Sequence, residues 1–275
     1  MKQLFSLLFL LLLASCLSTK NNAVVKKDNP PGTIWLKDNL YMDCTPVCNV
    51  HYREYEYYMN KKIKYNFSVF QHLIDSLPYY GFNIKDFESH YVFPPNKDSS
   101  MYMVNLKNVV RSDKYPFYYD YLHNPIFNNY PVINISYQVA EAYCKWRTNM
   151  VMLYYAAIKN ENNRLKVHKK IKYRLPTKEE WEYALQYLPI LRTYNDFSPK
   201  KDKSKFQKFL LNEEFTSVSF NKFTLSNFSE MVAEKLVAKG RNWMDSLSFK
   251  DENYTTSYIN ATDWLSFRCI CEVED

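Results

Sequence analysis

The run Tyr173-Arg174-Leu175-Pro176-Thr177-Lys178-Glu179-Glu180-Trp181-Glu182-Tyr183-Ala184 limits what this chain can become more than any other segment. Pro176 keeps the residue before it out of helix. Thr177 can then cap the helix that follows, with Glu180 reaching back from the third helical position. Trp181 and Ala184, three apart, face inward, while Lys178, Glu179 and Glu182 stay in water. The sequence therefore predicts a sharply started helix. Glu179, Glu180 and Glu182 read as its solvated face and not as an acid–base pair.

With 275 residues, 47% of them hydrophobic, the chain is long enough for one large domain or two small ones around a sizeable core. It holds 25 Tyr and only 3 Gly. Tyrosine brings apolar area with a polar handle. The shortage of glycine leaves turns of positive φ to Asn. The formal charge is +7. Lysines and acids are interspersed, with small clusters at Lys61-Lys62 and Lys169-Lys170. That pattern fits a solvated surface with a mild attraction to anionic surfaces. It lacks the concentrated basic stripe of a nucleic-acid binder, so no nucleic-acid partner is expected.

The N-terminus reads as a targeting segment. Lys2 precedes a short apolar run from Leu4 to Leu13, too short to be a good spanning helix. Leu13-Ala14-Ser15-Cys16 looks like a bacterial lipobox, cleaved before Cys16 and acylated on it. Residues 1–15 are then a lipoprotein signal peptide, 16–33 a polar, flexible tether ending in Pro30-Pro31-Gly32, and 34–275 the folded domain. No other segment is long and apolar enough to span a bilayer.

Ile34 to Asp43 should be strand-like. A helix from about Asn49 to Lys61 should bury Tyr52, Tyr55 and Met59. Residues 66–128 read as aromatic loop with short elements. A long helix from Ser136 to about Asn162 is expected to carry Val139, Tyr143, Trp146, Met150, Leu153, Tyr154, Ala157 and Ile158 as its apolar stripe. Residues 189–222 read as an irregular lysine-rich insertion, followed by short strands and turns. There are no internal repeats.

Several of these segments resemble one known family. The Tyr173–Ala184 run is similar to the central signature of the formylglycine-generating enzymes, or sulfatase-modifying factors. In the family's order stand Tyr41-Met42-Asp43-Cys44-Thr45-Pro46-Val47-Cys48-Asn49, Tyr130-Pro131-Val132-Ile133-Asn134-Ile135-Ser136-Tyr137 and Ala140-Glu141-Ala142-Tyr143-Cys144-Lys145-Trp146-Arg147. Downstream come Ser226-Asn227-Phe228-Ser229-Glu230-Met231, Ala238-Lys239-Gly240-Arg241-Asn242-Trp243 and Trp264-Leu265-Ser266-Phe267-Arg268-Cys269-Ile270-Cys271-Glu272. The subgroup most resembled is that of bacterial lipoproteins, including gliding-motility lipoproteins. The resemblance implies an α+β, C-type-lectin-like fold with much irregular loop.

It also implies a chemistry that is incomplete here. The family's catalysts bind copper with a cysteine pair between the Gly-rich Trp motif and the Phe-Arg-Cys motif. Met244 to Ser266 contains no cysteine, and a soft monovalent copper ion needs thiolates. No copper is expected. Arg241, Asn242 and Ser266 stand where the family usually has small residues, and each adds bulk near its cleft. His51, His72, His90, His123 and His168 show no metal-ligand spacing, and no phosphate loop or nucleophile elbow is present.

Two features remain. Asn227 and Glu230 match the family's Asn and Glu in a turn that supplies oxygen ligands to structural calcium; a capping or turn role is the alternative. Apart from Cys16 there are Cys44, Cys48, Cys144, Cys269 and Cys271, an odd number in a compartment that permits disulfides. The resemblance implies a bridge between Cys144 and Cys269. Cys269 and Cys271 would share a strand face, leaving Cys271 to meet Cys44 or Cys48. The expected function is a non-catalytic, membrane-anchored binding or structural module of the outer membrane, facing the periplasm or the surface, with an envelope protein as partner. The alternative is an oxidoreductase of the sulfatase-modifying type acting on a protein or peptide. Envelope glycan is a further ligand class that rests on fold analogy alone.

Overall fold

The computed structural model describes residues 25–65, 121–192, 221–244 and 251–274. The readings of the signal peptide, of Cys16, of most of the 66–128 loop and of residues 193–220 fall outside them.

The element order is β1 (Thr33–Lys37), β2 (Leu40–Asp43), α1 (Asn49–Tyr65), α2 (Tyr137–Ala157), α3 (Glu161–Arg164), β3 (Lys170–Arg174) and α4 (Lys178–Tyr187). Then come β4 (Ile190–Arg192), β5 (Phe223–Leu225), β6 (Ser229–Met231), β7 (Val237–Lys239), β8 (Thr255–Ser257), β9 (Leu265–Phe267) and β10 (Ile270–Glu274). One antiparallel sheet runs β1-β2-β10-β3, so the last strand of the chain lies between the second and third. A second sheet runs β8-β7-β6-β9, with β6 and β9 parallel. The parallel pair β4-β5 stands apart.

Register in the first sheet sorts its side chains onto two faces. Tyr41, Cys271 and Tyr173 form one cross-strand row, and Met42, Ile270 and Arg174 the next. Side chains on adjacent positions of a strand point to opposite faces. Cys271 and Tyr173 join the core under α2, with Tyr143, Cys144 and Tyr155. Met42 and Ile270 join a second core with Trp181 and Ala184 of α4. The sheet is thus covered by a helix on each side. In α1 the expected residues are inside: Tyr52, Tyr55 and Met59 are all buried. Tyr52 and Tyr55 pack with Tyr143 and Trp146 in an aromatic cluster, which Phe267 closes from below.

The helix start after Pro176 forms as its sequence predicts. Thr177 Oγ1 accepts from Glu180 N, and Glu180 accepts from Thr177 N. Trp181 and Ala184 are buried. The acidic face, however, is not solvated throughout. Glu180 also pairs with Arg174 at 2.6 Å, and Glu182 receives Lys239 Nζ at 2.8 Å. These partners come from β3 and β7, which helical spacing alone cannot reveal.

The stripe expected on α2 holds in part: Trp146, Leu153 and Ile158 pack half-buried against the core, while Tyr154 and Ala157 face out. Ser136 caps the helix and Val139 and Tyr143 are buried. Beyond Trp146 the inward face carries Thr148, Asn149, Met152, Tyr155 and Ala156, and Tyr154 is 63% exposed. The reason is Thr148. Its hydroxyl donates to Cys144 O and accepts from Tyr173 N, which fastens the helix to β3 through a polar residue. An apolar stripe drawn by hydrophobicity passes it by. The helix stops at Ala157, and Asn160 caps the separate turn α3.

Glycine is scarce, and positive φ falls on Asp38, Asn134 and Leu236 as well as on Gly32 and Gly240. Asn134 meets the expectation; Asp38 turns the β1-β2 hairpin. Residues 27–31, read above as part of a tether, are held to the domain. Lys27 Nζ donates to Val167 O, Asp28 N to Lys166 O, and Pro31 O accepts from Arg147. The domain therefore begins by Lys27. No helix among the described residues is long and apolar enough to cross a membrane.

Replacing Thr148 with Val removes the hydroxyl from a buried backbone donor and should cost about 1–3 kcal/mol. Tyr154→Ala, on the exposed face, should stay within about 0.5 kcal/mol. Urea unfolding of both variants checks the assignment; the reverse order would contradict it.

Candidate functional site

Each of two short, otherwise apolar strand regions carries one charged residue: Glu230 within Ser229-Glu230-Met231-Val232, and Arg268 within Phe267-Arg268-Cys269-Ile270. The fold brings them together. Glu230 lies on β6, beside Ser266 of β9, and Arg268 follows that strand directly. Arg268 is 0% exposed and Glu230 1%. The guanidinium meets both carboxylate oxygens, Nε to Oε2 at 2.5 Å and Nη2 to Oε1 at 2.6 Å. It also donates to Asp43 O, Cys44 O and Thr224 O. All five N–H donors of the arginine are thereby used. Phe223 covers the guanidinium face at 4.0 Å, and Trp181 Nε1 donates to Glu230 Oε2 at 3.0 Å.

A small, shallow cleft lies against this group, lined by Trp181, Leu225, Ser226, Phe228, Glu230, Gly240, Arg241 and Glu252. Gly240 has a φ of 80°, and a Cβ there would sit 3.3 Å from the Trp181 ring. The backbone turn and the close approach both need glycine. Of the three residues expected to add bulk, Arg241 lines the cleft. Asn242 is buried, donates to Ser229 Oγ and accepts from Met244 N. Ser266 is fully buried on β9.

The turn expected to hold calcium is built differently. Both Glu230 oxygens already face a cation, the Arg268 guanidinium, and one of them also receives Trp181. Asn227 is buried, and its carbonyl accepts from Trp243 N. A second cation on Glu230 would have to sit against the guanidinium, between Phe223 and Trp181. The residues present do not fit a calcium ion there. Among the described residues, no three His, Cys, Asp or Glu side chains converge on a point that could hold a metal.

Cys44, Cys48, Cys144, Cys269 and Cys271 are all buried thiols. Burial pushes Cys44 up to about 11 and Cys48 and Cys271 up to about 12, and raises Cys269 well above the ordinary thiol value. A thiolate, not a thiol, binds metal or attacks substrate. Cys144 and Cys269 do meet: their Sγ atoms are 3.5 Å apart. That is the contact of two thiols, wider than the ~2.05 Å of a disulfide. Beside them, Asp43 Oδ2 accepts from Arg147 and from Cys269 N. Cys271 lies in the row between Tyr41 and Tyr173 and donates to Glu272 O.

Three residues that matter here were missed in the sequence. Arg268 stood in a motif with no role assigned. Lys239 is 0% exposed and binds Glu182, Asn253 O and Thr255 Oγ1. Arg147 ties α2 to Asp43, Pro31 O and the Tyr173 ring. The available signal was the same for Arg268 and Lys239: a lone charge inside a short apolar run, which calls for a buried partner.

The melting temperature should be the same in EDTA and in millimolar calcium. A calcium-dependent rise that disappears in Glu230→Gln would contradict the geometry. The thiols set an alkaline limit. A folded state whose thiols titrate above the ordinary value of about 9 holds its protons more tightly than the unfolded chain. Their stabilisation is complete below pH 9 and is lost as pH rises toward 11 to 12; buried Tyr52, Tyr143 and Tyr173 shift in the same direction. In reductant, the urea midpoint should therefore fall between pH 8.5 and about 10.5. An unchanged midpoint would contradict it.

Comparison with curated proteins finds no match. The model of one protein family, the sulfatase-modifying factor enzyme 1-like domain, matches residues 14–273. The two four-stranded sheets and the helices on both faces of one of them agree with that family's mixed α+β, C-type-lectin-like fold. The chain belongs to the sulfatase-modifying factor family.

Proposed function

We propose that this protein is a lipid-anchored lipoprotein of the bacterial cell envelope whose sulfatase-modifying-factor domain is non-catalytic and serves as a binding or structural module. The observation that carries the reading is the missing thiolate pair. Met244 to Ser266 contains no cysteine. Every described cysteine lies in the core, four of them with their thiols raised by burial. Oxygen activation on a soft metal would need thiolates open to a cleft. The cleft that exists is floored by an ion pair whose charges are already matched.

The lipobox-like Leu13-Ala14-Ser15-Cys16 motivates the anchor, and Cys16 is the proposed acylation site. Leu17-Ser18 lacks an acidic residue of the kind that retains some lipoproteins in the inner membrane, which favours the outer membrane. A bridge between Cys144 and Cys269 belongs to the same reading, since an oxidising compartment would convert a 3.5 Å thiol contact into a covalent link between α2 and the start of β10. The partner is an envelope protein, met through the surface of a rigid domain rather than through a reactive site. The resemblance to gliding-motility lipoproteins supports a partner in a motility or secretion assembly.

The purified protein, given copper and a sulfatase-type cysteine peptide, should form no aldehyde above the level of a protein-free control. Aldehyde formation that persists after adventitious metal is stripped and copper alone restored would overturn the reading in favour of an oxidoreductase.

A further inference from the structure

The point where the chain enters the domain is marked by lysine. Lys27 Nζ donates to Val167 O at 2.8 Å, and Asp28 N to Lys166 O at 2.7 Å. The entering segment therefore lies along the turn between α3 and β3. Lys26, Lys159, Lys166 and Lys169 are exposed around it, and Arg164 donates to Lys159 O, which draws that loop into the same group. None of these four lysines is in an ion pair with a described residue. Two apolar side chains stand among them, Leu165 at 49% and Val25 at 43% exposure. A lysine cluster with projecting aliphatic side chains is the surface that binds the headgroup region of an anionic bilayer.

Resting on the Cys16 anchor reading above, we propose that this face docks onto the anionic lipid surface of the bilayer that holds the anchor. Ten residues, and so eleven Cα–Cα steps, lie between Cys16 and Lys27. Whatever their conformation, these steps reach at most about 40 Å. The patch surrounds the very point where that tether ends, so it faces the bilayer at high local concentration and needs little affinity of its own. Docking fixes the orientation of the domain. The lysine face lies on the lipid, and the surfaces farthest from the entry point are held outward for a partner.

The test uses the full, lipidated chain reconstituted in vesicles. Leu165→Cys carries an environment-sensitive dye, the described native cysteines being buried. Flotation with neutral phosphatidylcholine vesicles reads the anchor alone. The difference between these and vesicles containing phosphatidylglycerol reads the patch. The expected result is flotation with both, and a blue shift of the dye only on the anionic vesicles. The shift should vanish at about 0.5 M salt, where charges are screened beyond a few ångström. It should weaken by about fivefold in partitioning for each lysine lost, read in Lys166→Glu and Lys169→Glu. Equal emission on both vesicles with flotation intact would overturn the patch, as would a shift that survives the lysine reversals. Loss of flotation on neutral vesicles would overturn the anchor instead.

Discussion

The Glu230–Arg268 pair is the constraint on which the rest of the structure depends. Its carboxylate comes from the second sheet, and its guanidinium sits in the short link from β9 to β10, where the chain passes into the first. The remaining donors reach the end of β2 through Asp43 O and Cys44 O, and β5 through Thr224 O. One side chain thus joins three groups of strands. Taking both charges out of water is costly, and their attraction offsets this only when the geometry is good and the other donors are satisfied. Here five donors find five acceptors, and aromatic rings exclude water from both partners. In a fold with short strands and long connections, such a pair fixes which arrangement forms more than it adds stability.

Two more arginines repeat the device around it. Arg147 joins α2 to Asp43 and to the entering segment at Pro31. Arg174 joins β3 to the start of α4 through Glu180 and to β10 through Glu272. Asp43 links the first pair of these hubs, since its carboxylate takes Arg147 and its carbonyl takes Arg268. The consequence for function is a domain whose interior charges are matched internally. The cleft over Glu230 offers a ligand no free charge from that floor.

What could be read in the sequence was local. The Thr177–Glu180 capping box and the inward face of α1 rest on residues three or four apart, and both form as expected. The end of the α2 stripe was misread because the contact with β3 runs through Thr148, whose hydroxyl replaces an apolar contact with two hydrogen bonds. Glu182 and Glu180 looked solvated because Lys239 and Arg174 approach from other elements. Pairs such as Glu230–Arg268, 38 residues apart, leave no periodic trace. The family motifs placed Asn227 and Glu230 in a turn, but the nearness of Arg268 to Glu230 needed the structure. The contact of Cys144 with Cys269 was implied by resemblance and not by spacing.

The most direct test of the central claim is a double-mutant cycle on Glu230→Gln and Arg268→Met, followed by urea unfolding. Removing either partner leaves an uncompensated buried charge and should cost about 3–5 kcal/mol. The double variant should be no less stable than the worse single, so the coupling energy should amount to several kcal/mol. Additive losses, with coupling near zero, would contradict the claim that each residue is the other's counterion.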